Sequence, residues 1–338
     1  MRLNLAASGT SLLARTLALL TIFAAIGAVF ASTAAASQQV DRNAVGATIR
    51  VNRQGFAMIS YRKRQGVVRG VRNVLAWGAI NARHPTRRVK QVKLKLDYAA
   101  GWGRFRRDMS KGFKNRCRRY DGPKLPWLVS SCKAPDGSYW ALQSWQVNLP
   151  DLGFVPWLPQ QKYWDLRVSH WTGSLAKVEV WTNWIYSGRF HELFGRLTYK
   201  GKPVYGFGTT NYGAPTDGYG RLLYLDTYNS KYGSGWRREN SFVAHNPTGV
   251  WCYGFYPRDP HVGGYPIPPG TPHRNRPLGI GERYRINVPG PGVTPDILWE
   301  GAGLHDFNGD NPNDVDYERR MNDQLDAILN GDKLCRQH

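Results

Sequence analysis

Short runs in which apolar and polar residues alternate recur along the chain, and this period of two is the strongest constraint on its fold. In VKQVKLKLDY (89–98), Val92, Leu94, Leu96 and Tyr98 fall on one side and Lys93, Lys95 and Asp97 on the other. In YWDLRVSHW (163–171), Trp164, Leu166, Val168 and His170 share a side. In ERYRINV (282–288), Tyr284, Ile286 and Val288 oppose Arg283, Arg285 and Asn287. Successive side chains of a strand point to opposite faces, so each run reads as a half-buried antiparallel strand. ELFGRLTYKGKPVYGFGTT (192–210) reads as two strands joined at Lys200-Gly201, where glycine supplies the positive φ of a tight turn. Helical patterns are sparse. RFRRDMSKGF (104–113) is one; DVDYERRMNDQLDAIL (314–329) is stronger, with Asp314 as its expected cap and Met321, Leu325, Ile328 and Leu329 as an apolar stripe. Together these features predict an all-β fold, an antiparallel β-sandwich or jelly roll with a short C-terminal helix.

The first residues carry an address. Arg2 and Arg15 precede the apolar run TLALLTIFAAIGAVF (16–30), and ASTAAAS (31–37) supplies the small residues that a signal peptidase reads. Residues 1–36 are therefore expected to be a signal peptide cut after Ala36, which makes the mature chain a secreted or cell-envelope protein. An uncleaved anchor is the alternative, because 16–36 just reaches the length of a bilayer span. Four cysteines in an exported chain predict disulfides. Cys117 and Cys132 are close in sequence and are expected to pair, which leaves Cys252 to tie the tail through Cys335. Closing the shorter loop would contribute about 3 kcal/mol.

Charge is distributed unevenly and sets the expected partners. From Asp41 to Lys124 there are 23 Lys and Arg against 4 Asp and Glu, a net of +19, whereas residues 125–338 carry 21 against 20. The densest stretch is GRFRRDMSKGFKNRCRRYDG (103–122), with Arg104, Arg106, Arg107, Lys111, Lys114, Arg116, Arg118 and Arg119 around Cys117. A localised cationic field draws polyanions by counterion release and steering, so an anionic or cell-wall glycan, nucleic acid or an anionic membrane surface are the candidate partners. A solvated basic face kept for solubility accounts for the same composition. The organisation expected after the signal peptide is a basic part at 37–124, an aromatic-rich β domain at 125–300 and an acidic tail with a helix at 301–338. A Pro-rich excursion at 257–279, too rigid for a flexible linker, interrupts the β domain.

Aromatic residues supply the second binding pattern. Thirteen Trp and eighteen Tyr cluster in the β segment. In VEVWTNW (178–184), Glu179, Trp181 and Asn183 project from one side; in LLYLDTYN (222–229), Tyr224, Asp226 and Tyr228 do. Flat rings beside carboxylate and amide groups suit a sugar, whose faces are apolar and whose rim carries hydroxyls. Core filling is the plain alternative for such residues in strands. In this density of Trp and Tyr the strands resemble carbohydrate-binding β-sandwiches, over about half of the chain and without a specific motif.

Dedicated chemistry is thinly marked. HDFNGDNPNDVDYE (305–318) offers oxygens at Asp306, Asn308, Asp310 and Asp314, like the first half of a calcium loop, but Asn311 and Tyr317 stand where an EF-hand needs Gly and a carboxylate. An Asx-rich turn leading into the helix explains the same residues. HELFG (191–195) lacks the second histidine of a zinc peptidase helix, and there is no Gly-x-Ser-x-Gly elbow. A polysaccharide hydrolase would need two carboxylates about 5–9 Å apart, with Glu179 and Glu192, or Asp226 and Glu239, as the available pairs. The leading expectation is a secreted, non-catalytic protein that binds an acidic or cell-wall polysaccharide, with a hydrolase and a ligand-free structural envelope protein as alternatives.

Overall fold

The computed structural model describes residues 37–63, 70–80, 93–146, 164–185, 188, 190–204, 208–209, 215–216, 224–230, 233–238, 241–245, 250–255, 258–259, 265–266 and 281–329. The expected signal peptide, Val92, Glu239, Cys335 and most of 257–279 lie outside them. What is described is all-β, with antiparallel sheets and a C-terminal helix, as the alternation predicts.

Eight strands build the first half: β1 (Gln38–Arg42), β2 (Ala44–Val51), β3 (Ala57–Lys63), β4 (Val71–Gly78), β5 (Leu94–Asp97), β6 (Leu128–Lys133), β7 (Tyr139–Gln146) and β8 (Trp164–Trp171). They form two four-stranded sheets, β1-β8-β7-β6 and β2-β3-β4-β5. One apolar layer lies between them: Ile49, Ile59, Val74 and Leu94 from one sheet meet Trp140, Leu142, Leu166 and Val168 from the other. This is a β-sandwich, in which the inner faces of two sheets share a core.

The second half contains β9 (Lys177–Ile185), β10 (Phe190–Tyr199), β11 (Lys202–Pro203), β12 (Gly208–Thr209), β13 (Pro215–Thr216), β14 (Tyr224–Ser230), β15 (Gly233–Arg238) and β16 (Ser241–His245). It continues through β17 (Val250–Phe255), β18 (Arg258–Asp259), β19 (Tyr265–Pro266), β20 (Arg283–Val288) and β21 (Ile297–Ala302). β10 pairs with β9 and β17, β16 lies outside β17, and β11 pairs with the end of β10. The facing sheet has the order β15-β14-β20-β21, and the four shortest strands other than β11 make two small hairpin pairs. Val180, Trp184, Leu193 and Leu197 pack on Leu225, Tyr284, Ile286 and Val288 to form the second core. The chain thus changes core between β8 and β9, and β1, from the basic part at 37–124, lies in one sheet with β6, β7 and β8.

The two sandwiches meet at a polar seam. Gln143 Nε2 donates to the Asp296 carbonyl and Gln143 Oε1 accepts from the Asp296 N–H, both at 3.0 Å. The Asp296 carboxylate accepts from Ser37 Oγ at 2.8 Å and from Trp145 Nε1 at 3.2 Å. Asp296 is almost fully buried, and these partners keep its charge from being left bare in the interior.

Local expectations meet mixed outcomes. The Lys200-Gly201 turn forms as a two-residue hairpin, with φ of 52° and 71° and Tyr199 opposite Lys202. His170 is a core residue, stacked on Trp140 at 3.8 Å with its Nε2 2.9 Å from Ser138 Oγ. Trp164 is a correction: it begins β8 and is exposed, because the side shared with Leu166 and Val168 becomes core only further along the strand. Asp97 is another. Expected on the polar side, it is buried because its carboxylate accepts the N–H groups of Ala99 and Arg104.

The predicted helix at 104–113 is reduced to one turn, Trp102–Phe105, since Arg106 adopts φ 57° and ends it. The C-terminal helix spans Pro312–Leu329 and its cap is Asn311, not Asp314. Asn311 Oδ1 accepts the Asn313 N–H at 3.1 Å, and Pro312 takes the first position, where a missing N–H costs nothing.

Candidate functional site

The basic stretch is an arm that wraps the first sandwich. It leaves β5 through Gly101, whose φ of 110° suits glycine and where a Cβ would lie 2.4 Å from Met109. Phe105, Met109 and Phe113 then cover Met58 and Leu75 on the outer face of the β2-β3-β4-β5 sheet. Asn115 Oδ1 accepts the N–H of Val51 at 3.2 Å, and Arg116 N–H donates to the Val51 carbonyl. Cys117 bonds to Cys132 on β6, as the spacing predicts. Arg118 pairs with Lys133 in an isolated bridge, and Tyr120 and Leu125 reach Ala141 and Trp171 on the outer face of the other sheet. Cys252 is also disulfide-bonded, and Cys335, its expected partner, is outside the described residues.

All eight cations of the arm are exposed. Two of them also brace it. The Arg104 guanidinium sits 4.9 Å from the centre of the Trp77 ring, with Phe105 and Phe56 slightly farther, a cation–π box that clamps the single helical turn. Arg118 Nη2 donates to the carbonyls of Ala134 and Pro135. Arg106, Arg107, Lys111, Lys114, Arg116 and Arg119 enter no salt bridge among the described residues. The acids of the stretch are already engaged. Hydrogen bonds from Ser110 hold the Asp108 carboxyl below its ordinary range, and Lys133 and Tyr139 do the same for Asp121. Cations without salt-bridge partners on a segment tied to the sandwich are what a polyanion meets at low ordering cost.

The expected aromatic platforms fare differently from each other. On β9, Trp181 stacks on Phe194 at 5.7 Å beneath Met321, Leu325 and Ile328 of the C-terminal helix. Asn183 is buried and its Nδ2 donates to Asn322 Oδ1, while Glu179 pairs with Lys177 and Arg196. This face docks the helix and is not an open stacking surface. On β14, Asp226 accepts from Arg285 Nε at 2.8 Å, and Tyr228 lies 5.2 Å from the Trp236 ring. Tyr224 stands opposite Asn287 in the register, and its side chain is outside the described ones.

Of the two proposed carboxylate pairs, Glu179 with Glu192 is not assembled, and Asp226 with Glu239 falls outside the described residues at Glu239. Glu179 stands opposite Arg196 and Glu192 opposite Asn183, which puts the two acids four positions apart, about 13 Å along the strands. Glu192 is instead an isolated buried acid. Burial alone pushes its carboxyl up to about 8, and neither its Oε1 nor the Asn183 Oδ1 across from it has a hydrogen-bond partner. His170 shows the reverse effect: burial lowers it to about 4, against the opposing pull of Asp136.

The Asx-rich segment is a turn. Asp314 is buried and its carboxylate accepts from His305 Nε2, Asn308 N–H and Asn311 Nδ2 at 2.9–3.0 Å. Asn308 Oδ1 accepts the Asp310 N–H, while Asp306 and Asp310 are exposed. Of the oxygens expected to converge on calcium, those of Asn308 and Asp314 are turned to N–H donors, and no group of three His, Cys, Asp or Glu able to hold a metal occurs among the described residues.

Two features went unread in the sequence. A cleft of about 330 Å³ is lined by Asn43, Val45, Val129, Ser144, Trp164 and Leu166. Arg283 and Arg285 stand beside Tyr228 and Asp226; alternation places the arginines on one side of their own strand, but pairing with β14, some 55 residues earlier, is a tertiary fact. Comparison with known protein families, curated proteins and solved structures found no match for this chain.

Proposed function

We propose that this chain is an exported, non-catalytic protein that binds an acidic or cell-wall polysaccharide, with the arm of residues 104–119 as its polyanion contact. The observation that carries the reading is the six exposed cations free of salt bridges, on a segment held at its start by the ring box around Arg104 and near its end by Cys117–Cys132. A floppy basic tail attracts anions too, but loses more conformational freedom on binding. The cell exterior supplies long acidic glycans, and the apolar run with small residues at 16–36 supports delivery there.

Retention of residues 37–338 on immobilised acidic and neutral polysaccharides across a salt series tests this, with nucleic acid as competitor. Binding to acidic polymers with a steep salt slope is expected. Replacing Arg106, Arg107, Lys111, Lys114, Arg116 and Arg119 by Ser or Gln should flatten that slope, each phosphate- or carboxylate-type contact contributing about 0.7 to 0.9 to it. Unchanged retention of that variant would sink the reading, and preference for nucleic acid over acidic glycan would redirect it.

A further inference from the structure

We propose that the outer face of the β15-β14-β20-β21 sheet is a second binding site, in which Arg283 takes the carboxylate of a uronic-acid unit. The inference extends the acidic-glycan reading of the arm and uses none of the arm's residues.

Register builds the face in rows. Tyr228 stands opposite Trp236 on one side and Arg283 on the other, and Arg283 opposite Ala302. In the next row Asp226 stands opposite Arg285, and Arg285 opposite Glu300. The two arginines are used differently. Arg285 is largely buried, lies 4.2 Å from the Trp236 ring centre with Trp127 of the first sandwich beyond, and spends its Nε on Asp226. Arg283 is exposed, lies 4.4 Å from the Tyr228 ring centre and 5.3 Å from that of Trp236, and enters no ion pair among the described residues.

A guanidinium held over ring faces and paired with no acid keeps N–H donors to offer, and its rigid fork matches a planar carboxylate. Ala302, an exposed methyl beside the fork, leaves that ground open. Tyr228 and Trp236 are half-buried and offer a sugar ring apolar contact next to the charge. The fixed charges select the ligand class. By register three arginines, Arg238, Arg285 and Arg283, share these rows with two carboxylates, Asp226 and Glu300, a net of one positive charge, so one negative charge per sugar is matched and a multiply sulfated unit exceeds it.

The test uses trigalacturonate, its methyl ester and a multiply sulfated trisaccharide, titrated against residues 37–338 by calorimetry with tryptophan fluorescence in parallel. The short probe reports this face without engaging the length of the arm. Trigalacturonate should bind with a change in tryptophan emission, and the ester and the sulfated probe at least tenfold more weakly. Arg283→Gln should weaken trigalacturonate about tenfold, and Ala302→Phe, which leaves Arg283 in place, should block it. The arm double variant Arg106→Ser/Arg107→Ser should stay within twofold of the parent. Equal binding by Arg283→Gln and Ala302→Phe, or by the ester, overturns the proposal. Loss on Arg283→Gln together with polymer retention that survives arm neutralisation upholds this site and removes the arm from the function.

Discussion

Each sandwich covers an outer sheet face with a segment that is not a strand, and the two do it by different means. In the first, the arm adheres through a few buried side chains, Phe113 and Leu125 chief among them, and one covalent bond. In the second, the C-terminal helix lays Met321, Leu325 and Ile328 on Trp181 and Phe194 and adds two polar links, Asn322 to Asn183 and Tyr317 to Thr182. The arm has almost no regular structure and must be held; the helix satisfies its own backbone and needs only an apolar stripe. Buried titratable groups differ as well. The first sandwich encloses a neutral histidine, the second a neutral carboxylic acid. Proton concentration therefore acts on these two groups in opposite directions.

The largest expected effect follows from Glu192. Its folded-state value is raised from the ordinary carboxylate range to about 8, so the folded chain holds a proton that the unfolded chain releases. That stabilisation is complete below pH 4.5 and is lost as pH rises towards 8, at about 1.4 kcal/mol per unit and roughly 5 kcal/mol in all. Glu192→Gln, which keeps the shape without the charge, should abolish the slope and raise the melting temperature at pH 8 more than at pH 5. Thermal unfolding at both values checks this, and an unchanged slope would show that Glu192 is already solvated.

His170 predicts the mirror image. Its folded value is lowered from 6.5 to about 4, so its contribution is intact above pH 6.5 and is lost as pH falls to 4, about 3 kcal/mol over the interval. Native-state hydrogen exchange separates the two halves. At pH 4.5, protection should fall first in β7 and β8; at pH 8, in β9 and β10. Simultaneous loss in both at either pH would mean that the Asp296 seam fuses the sandwiches into one cooperative unit, and the comparison would collapse to a single stability.

The covalent anchor is next in size. Cys117→Ser/Cys132→Ser releases a loop with a sequence separation of 15, worth about 3 kcal/mol. Trypsin should then cut within 104–119 at concentrations that leave the parent intact, while exchange in the second sandwich is unaltered. The same variant should bind acidic polymers more weakly with all its charges present, since the order of the arm is lost and its composition is not.

How much of this was legible follows from what alternation encodes. A strand's two sides can be read from the residues alone, and 163–171, 192–203 and 282–288 are strands where the pattern puts them. What lies over each side cannot. Glu179, Trp181 and Asn183 share a face as expected, but only the folded chain brings the helix across it. Arg104 shows the same limit. Its charge is plain in the sequence, and the Phe56–Trp77–Phe105 box that engages it draws on three separate segments. The helix start was legible in principle, since Asn311-Pro312 is a cap followed by the residue best suited to the first position; Asp314, three residues on, carries the same capping chemistry and competes for that role in the sequence.

That start gives the smallest prediction and the finest probe of the difference between the two covers. Asn311 joins three roles: its Oδ1 accepts the Asn313 N–H, its Nδ2 donates to Asp314, and its carbonyl accepts the Val315 N–H. Asn311→Ala removes the first two and leaves a buried carboxylate with His305 Nε2 and the Asn308 N–H as partners. A cap of this kind contributes about 1 kcal/mol. Because the helix meets the sheet through Met321, Leu325 and Ile328, at least two turns from the cap, the loss should appear as fraying over 312–317 with docking retained. Exchange should rise in the first turn alone, and the emission of Trp184, which contacts Tyr317 and Phe307, should shift while that of the first sandwich is silent. Undocking of the whole helix by this single change would mean that the cover rests on its polar start more than on its apolar stripe, which would bring it closer in kind to the arm.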